Sequence, residues 1–243
     1  MAAARRISVI VPVYNGERFV GDALASILGQ TLAPDEVCAV DDASTDETAS
    51  VVAHYPRVRY LKQERNQGQA VALNRGVAST NGDWLAFLDA DDVWVPNKLE
   101  LQCRALDEDP ELDVVYGLLR ERVMGEQGAL ARRDGATHPA QLPSAMLIRR
   151  AAFDAVGGFD GRFTLGSVVD WYARSREAKL RERILPDVLY ERRIHGDNIG
   201  IRKASQRGDY LSVVKAALDR RRAAEARSRP AEGRAEPQEP EGE

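Results

Sequence analysis

The chain has 243 residues, 44% of them hydrophobic and 30% charged, with a formal net charge of -4. That suffices for one large α/β core, and because Lys and Arg are spread along the chain, no basic block marks a nucleic-acid or membrane surface. No apolar run reaches the roughly 18 residues of a membrane span, "MAAARRISVIVPV" breaks at "YNG" too early for a secretory leader, and Cys38 and Cys103 lack metal-type spacing, so the expected setting is cytoplasmic with both thiols reduced and buried.

In chain order, "RISVIVPVYNGERFVGDALASILGQ" reads as a buried strand, a turn and an amphipathic helix, with Val20, Leu24, Ile27 and Leu28 on one face and Asn15 as its cap. "EVCAVDDASTDETASVVAHY" repeats the plan, with Ser44 and Glu47 spaced as a capping box. "VRYLKQERNQGQAVALNRGVASTNG" is a third unit, whose helix Asn81-Gly82 would end. The fourth is "DWLAFLDADDVWVPNKLELQCRALDED", with Pro96 in a first helical turn and Leu99, Cys103 and Leu106 facing inward. Strands alternating with helices at this pitch predict a parallel, Rossmann-like sheet with helices on both faces. After about residue 110 the rhythm changes. "LDVVYG", a loop or hairpin over 119–141, "LPSAMLIRRAAFDAVGGFD" with a helix stop at Gly157-Gly158, and a helix around "VVDWYARSREAK" predict a mixed completion of the same sheet. A C-terminal helix over 204–222 would pack on the core or pair between subunits. Residues 223–243, rich in Ala, Glu, Arg and Pro, read as a disordered tail.

Each first-half unit places polar residues where its strand ends: "PVYN", "DDASTD", "ERNQG" and "DADD". In open parallel sheets that edge binds ligands. The segment "FLDADD" raises a further point, since Asp89 and Asp91 on a continuing strand would lie about 6.6 Å apart. Such charges repel by about 2.5 kcal/mol at an effective dielectric of ~20. A basic side chain, raised pKa values or a divalent ion would offset that. Neither a G-x-x-x-x-G-K-[ST] loop nor a G-x-G-x-x-G turn follows the first strand, against a P-loop NTPase and a dinucleotide oxidoreductase. A nucleotide here would instead use Asp41, accepting from a ribose hydroxyl or a base imide, with the "DADD" carboxylates holding an ion that binds its diphosphate. Hard oxygen ligands suit Mg2+ or Mn2+.

The strings "SVIVPVYN", "DDASTDET", "NQGQAVALNRG", "FLDADD" and "LPSAMLIRRAAFDAVGGFD", in this order, resemble the family 2 glycosyltransferases of the GT-A fold over roughly residues 7–200. The resemblance implies one GT-A domain over 1–203, with a nucleotide-binding half over 1–110 and an acceptor-side half over 111–203. It implies a metal-dependent transfer, with inversion, from a nucleotide diphosphate sugar, a UDP-sugar foremost, to a small-molecule, peptide or glycan acceptor. Onto this chain it carries donor contacts at Pro12, Tyr14, Asp41, Asn66, Gly68, Asp89 and Ala90, and metal ligation at Asp91 and His195, with Arg192 and Arg193 neutralising phosphate charge. The base position departs from the family's "EDxDW", because the run here is "SVVDW" from Ser167 to Trp171. Asp170 is the nearest carboxylate and the expected base; a base from the acceptor is the alternative. Two other readings stand beside this one: a noncatalytic nucleotide-sugar-binding protein of the same fold, and a nucleotidyltransferase, which would want a Gly-rich turn that "PVYNGERF" lacks.

Overall fold

In the computed structural model the described residues are 5–125, 128–196, 198 and 208–228. The first four units form as the hydrophobic periodicity predicts. Strands β1 (Ile7–Val13), β2 (Glu36–Asp41), β3 (Val58–Lys62) and β4 (Trp84–Phe87) are followed by helices α1 (Val20–Leu28), α2 (Thr48–Ala53), α3 (Gln69–Ala78) and α4 (Lys98–Glu108), with the short strand β5 (Val93–Trp94) before α4. The second half comprises β6 (Val114–Val123), a 3-10 turn over Gly128–Arg133, β7 (Thr137–Ala140), β8 (Leu147–Arg149), α5 (Arg150–Val156), α6 (Ser167–Glu177), β9 (Glu182–Ile194) and α7 (Gly208–Ser228).

Among the described residues the strands form one sheet in the order β3-β2-β1-β4-β8-β6-β9-β5, with β7 paired to β6. β1 to β4 are mutually parallel where they pair. β8 then enters antiparallel between β4 and β6, and β9 runs parallel to β6. This is the predicted architecture: a parallel first half and a mixed second half, with helices on both faces.

Alternation along β1 builds two cores. Ile7, Val9 and Val11 face Leu24 and Ile27 of α1, Val52 of α2, and Leu99 and Leu106 of α4. Ile10 faces the other way with Leu73 of α3, Phe153 of α5 and Trp171 of α6. There Phe87, Phe153, Phe159 and Trp171 pack ring on ring at centroid separations of 5.5–5.9 Å. Cys38 and Cys103 are free and buried, as expected. α3 crosses β1 at Gly76, where a Cβ would lie 2.4 Å from Cγ2 of Ile10.

Several local expectations are corrected. Asn15 caps no helix: it sits at φ 48° and its Oδ1 accepts from the Thr45 amide, while α1 begins after Phe19 without a side-chain cap. The Ser44–Glu47 capping box does not form, because the Ser44 amide donates to Asp41 and α2 starts only at Thr48. α3 stops at Ala78, before Asn81-Gly82, and Gly82 instead lies against Ser8, whose hydroxyl accepts its amide at 2.8 Å. Pro96 precedes α4, whose N-cap is Asn97. Of the two forms open for 119–141, the hairpin is the one found. The C-terminal helix begins at Gly208 and continues to Ser228, six residues into the segment read as tail; residues 204–207 and 229–243 lie outside the described residues. It packs on α6.

Candidate active site

The parallel register brings the strand ends to one edge. Val13 pairs with Asp41, Asp41 with Lys62, and Ile10 with Phe87, so the turns after β1, β2, β3 and β4 are neighbours. β4 ends at Phe87, so Asp89 and Asp91 do not share a strand face as the two-residue spacing suggested. A turn closed by the Asp92 amide on the Asp89 carbonyl (3.0 Å) gathers them instead. The result is denser than a strand allows: one ligand oxygen from each of Asp89, Asp91 and Asp92 lies within 4.8 Å of the others.

Three segments distant in sequence grip this turn. From the start of α3, Gln69 Nε2 donates to Asp89 Oδ1 at 2.6 Å. From the 3-10 turn Pro143–Ala145 before β8, Ser144 Oγ accepts the Asp89 amide at 3.2 Å. From the end of β9, the Arg193 amide donates to Asp92 Oδ1 at 2.9 Å, and Asp91 Oδ2 meets both His195 Nε2 at 3.2 Å and Asn198 Nδ2 at 2.8 Å. The His195 ring is buried and stacks on Phe19 with centroids 4.4 Å apart, which fixes its plane. The Arg193 guanidinium turns away to Asp22 at 2.9 Å, so of the two arginines expected to meet phosphate only Arg192 acts on the acidic turn.

The electrostatics record the crowding. Asp89 reaches the surface in part, yet desolvation of its carboxyl, and then the Asp91 charge, push its pKa up to about 7, against the opposing pull of Arg192 and Gln69. Asp92, buried at 4% exposure, is pushed well above the usual carboxylate range by desolvation and then by Asp91 and Asp89. Three carboxylates held at this density, with hard oxygens and an imidazole on one of them, are a donor set that fits Mn2+ or Mg2+.

The remaining candidates occupy the β2 side of the same edge. Asp41 is fully buried; its Oδ1 accepts the Ser44 amide at 2.7 Å, and its Oδ2 accepts the Tyr60 hydroxyl. Tyr60 is itself pushed up by burial and by Asp41. Ser44 Oγ in turn accepts the Asn15 amide at 2.8 Å, which places Tyr14, 49% exposed, beside the β2 turn. Pro12 is buried within β1, Asn66 is exposed, and Gly68 holds φ 90° at the head of α3 with nothing within 4 Å of where a Cβ would stand. Ala90 packs toward the β1 turn, 3.8 Å from a Cβ placed on Gly16. Asp42 belongs to the scaffold, since both its oxygens hold the segment 63–68.

Asp170 is placed differently. It is 1% exposed in the first turn of α6; Arg174 Nε holds Oδ2 at 2.8 Å and Arg220 Nη1 of α7 holds Oδ1 at 2.9 Å. Arg220 also grips Glu177 through Nε and Nη2. Both oxygens of the expected base therefore carry a guanidinium. Reasoning from the sequence passed over Gln69, Ser144, Asn198 and Arg220. Gln69 and Ser144 stand in quoted motif strings and Asn198 follows His195 by three residues, whereas Arg220 meets Asp170 across fifty positions with no local signal.

Comparison with known proteins agrees with this fold. The model of "Glycosyl transferase family 2" matches residues 8–167. Chondroitin synthase of Escherichia coli is 30% identical over 229 residues, covering 88% of this chain and 33% of that one. Hyaluronan synthase of Pasteurella multocida is 29% identical over 229 residues, covering 88% and 23%. The chain thus spans a third or less of these relatives. Among solved structures, S. aureus TarS in complex with UDP superposes with a TM-score of 0.68 at 20% identity, over 87% of this chain and 64% of that one. The mannosyltransferase PcManGT of Pyrobaculum calidifontis, solved with GDP-Man and Mn2+, gives 0.67 at 20%, over 90% and 65%.

Proposed function

The chain belongs to family 2 of the glycosyltransferases, with the GT-A fold, and from that premise we propose that it moves a sugar, with inversion at the anomeric carbon, from a nucleoside diphosphate donor to a glycan hydroxyl. The observation that carries this reading is the acidic turn Asp89-Ala90-Asp91-Asp92, seated at the sheet edge with His195 and Asn198 on Asp91. Asp91 and His195 hold a Mn2+ or Mg2+ ion, which when bound supplies charge neutralisation for the departing diphosphate. Asp41 and Tyr14 line the nucleotide's place, Asp41 as acceptor for a base imide or ribose hydroxyl, and Pro12, Asn66, Gly68, Asp89 and Ala90 complete the donor's surroundings. The donor is a UDP-sugar: UDP is the nucleotide of the TarS complex, although the mannosyltransferase was solved with GDP-Man. The names of the chondroitin and hyaluronan synthases support a glycan acceptor. A cytoplasmic setting suits two buried thiols, of which Cys38 is pushed up to about 11 by burial and so stays protonated.

The acceptor proton needs a base. Asp170 takes that role only when Arg220 releases Oδ1, since both oxygens are held. This favours a second reading, a protein that binds a nucleotide sugar without transferring it. One experiment separates them. Thermal shift with UDP- and GDP-sugars, each with and without Mn2+, is followed by measuring nucleoside diphosphate release with a glycan acceptor. Stabilisation that requires nucleotide and metal together, lost in Asp91→Ala, supports the site. Release then supports the transferase; binding without release on long incubation supports the second reading. No shift with any nucleotide refutes both.

A further inference from the structure

Helix α7 turns its smaller apolar residues inward and its larger ones outward. Inward, Val213 is 3% exposed and lies over Gly166, where a Cβ would come within 2.6 Å of it; Ala216 and Ala217 are half-buried. Asp209 Oδ2 accepts the Thr164 and Leu165 amides, and Arg220 reaches Asp170 and Glu177, so the helix is firmly seated. Outward, Leu211 is 77% exposed, Val214 56%, Leu218 47% and Tyr210 43%, half of the eight large apolar side chains exposed anywhere in the described residues. At about 100° per residue, Leu211, Val214 and Leu218 fall within about 60° of one another on the helix. Exposed Lys215 and Arg222 border this stripe on one side and exposed Arg221 on the other. Of the acids between Asp209 and Ala223 the nearest to the stripe, Asp219, stands beyond the Lys215 border and faces Arg222 only at 3.9 Å, while Glu225 follows Leu218 at seven residues' spacing, two turns past the stripe's end.

We propose that this face of α7 rests on an anionic lipid surface, the helix lying in the plane of the interface. An apolar stripe edged by cations is what such a surface recognises, because the stripe enters the acyl boundary while Lys and Arg meet the headgroups. A second copy of the chain fits less well: a two-fold pairing through the stripe would bring Lys215, Arg221 and Arg222 of both helices together. α7 lies on the membrane and does not cross it, as no described helix is long and apolar enough to span.

The test uses the full chain, sedimented with vesicles of phosphatidylcholine alone or of phosphatidylcholine with phosphatidylglycerol. The chain should pellet with the anionic vesicles only, and less as salt is raised. The double variant Leu211→Ser/Leu218→Ser should lose pelleting while keeping its thermal midpoint and its response to nucleotide, and each of Arg221→Gln and Arg222→Gln should weaken it about fivefold. Pelleting with neither vesicle overturns the proposal, as does equal pelleting with both or undiminished pelleting of the double variant. A lipid-free dimer that the leucine variants dissociate, with no vesicle binding, assigns the face to a second copy and overturns it too.

Discussion

Replacing Asp91 by Asn should raise the stability of the metal-free protein while abolishing its response to metal. With ligand oxygens of Asp89, Asp91 and Asp92 within 4.8 Å of one another, a fully ionised pair repels by about 3.5 kcal/mol at an effective dielectric of ~20. At pH 8 Asp89, with its pKa at about 7, is largely ionised, and desolvation shifts Asp92 toward its neutral form, so the Asp89–Asp91 pair is the one counted. Asp91 is 32% exposed at its side chain, and solvent screening brings that pair to roughly 2 kcal/mol. Against this, the bonds from His195 and Asn198 to Oδ2 lose their ionic character, a cost of about 1 kcal/mol together. The net gain of about 1 kcal/mol corresponds to a rise of roughly 2–4 °C in Tm for a chain of this size. The assay is thermal unfolding of wild type and variant at pH 8, with and without Mn2+. A lower metal-free Tm in Asp91→Asn, or a Mn2+ shift equal to that of wild type, refutes the account of the acidic turn as strained carboxylates awaiting an ion.

Asp89 links stability to pH. Its folded pKa, about 7, lies above the ordinary value of 3.8, so its contribution is fully present below about pH 4 and is lost as pH rises through about 7. Urea midpoints between pH 5 and 8 should therefore fall more steeply in wild type than in Asp89→Asn, and Mn2+ should stabilise wild type more at pH 8 than at pH 5.5. Lys98 has the opposite sign. It is fully buried, its amine bonded to Gln102 Oε1 at 2.7 Å and 4.1 Å from the Trp94 ring centroid, and desolvation holds its pKa well below 10.5. The unfolded chain then binds the extra proton, and wild-type stability rises with pH toward about 10; Lys98→Met should lack that slope, losing ground to wild type between pH 7 and 9.5 in urea titrations. Arg220→Ala leaves buried Asp170 with Arg174 alone and removes both contacts to Glu177; the loss should be roughly 2–3 kcal/mol, below the value for a wholly buried pair because Arg220 is 31% exposed at its side chain. Amide exchange of α6 and α7 should quicken together, and unchanged exchange in α7 would argue against the clamp.

What was legible in the sequence were features written in short-range pattern. The four strand–helix units follow from apolar periodicity, and the convergence of their polar turns follows from all four strands being parallel. The acidic turn could be found as a string but not in its shape, since a backbone bond from Asp92 to Asp89 breaks the strand that the spacing assumed. Helix starts were misplaced where a side chain had a better partner elsewhere: Asn15 serves Thr45 rather than α1, and Asp41 draws the Ser44 amide away from a capping box. Long-range pairings were not legible. Nothing local says that β8 will enter antiparallel between β4 and β6, that Asn198 will reach Asp91, or that an arginine of α7 will neutralise Asp170. Those contacts are decided by which surfaces the finished sheet leaves facing each other.

Asp42 shows what the fold has settled before any donor arrives. Its Oδ1 accepts the Gln67 amide at 2.8 Å and the Gln63 side chain, its Oδ2 accepts the Gly68 amide at 2.7 Å, and its own amide is tied to Val13. An acceptor-only group with lone pairs on both oxygens is needed for three converging donors; an amide in its place would turn an NH2 toward one of them. The segment leading to Asn66 and Gly68 is thereby frozen during folding. On the proposed reading a nucleotide sugar meets that segment without having to order it, and the conformational entropy that an unanchored loop would subtract from affinity has already been spent by the chain itself.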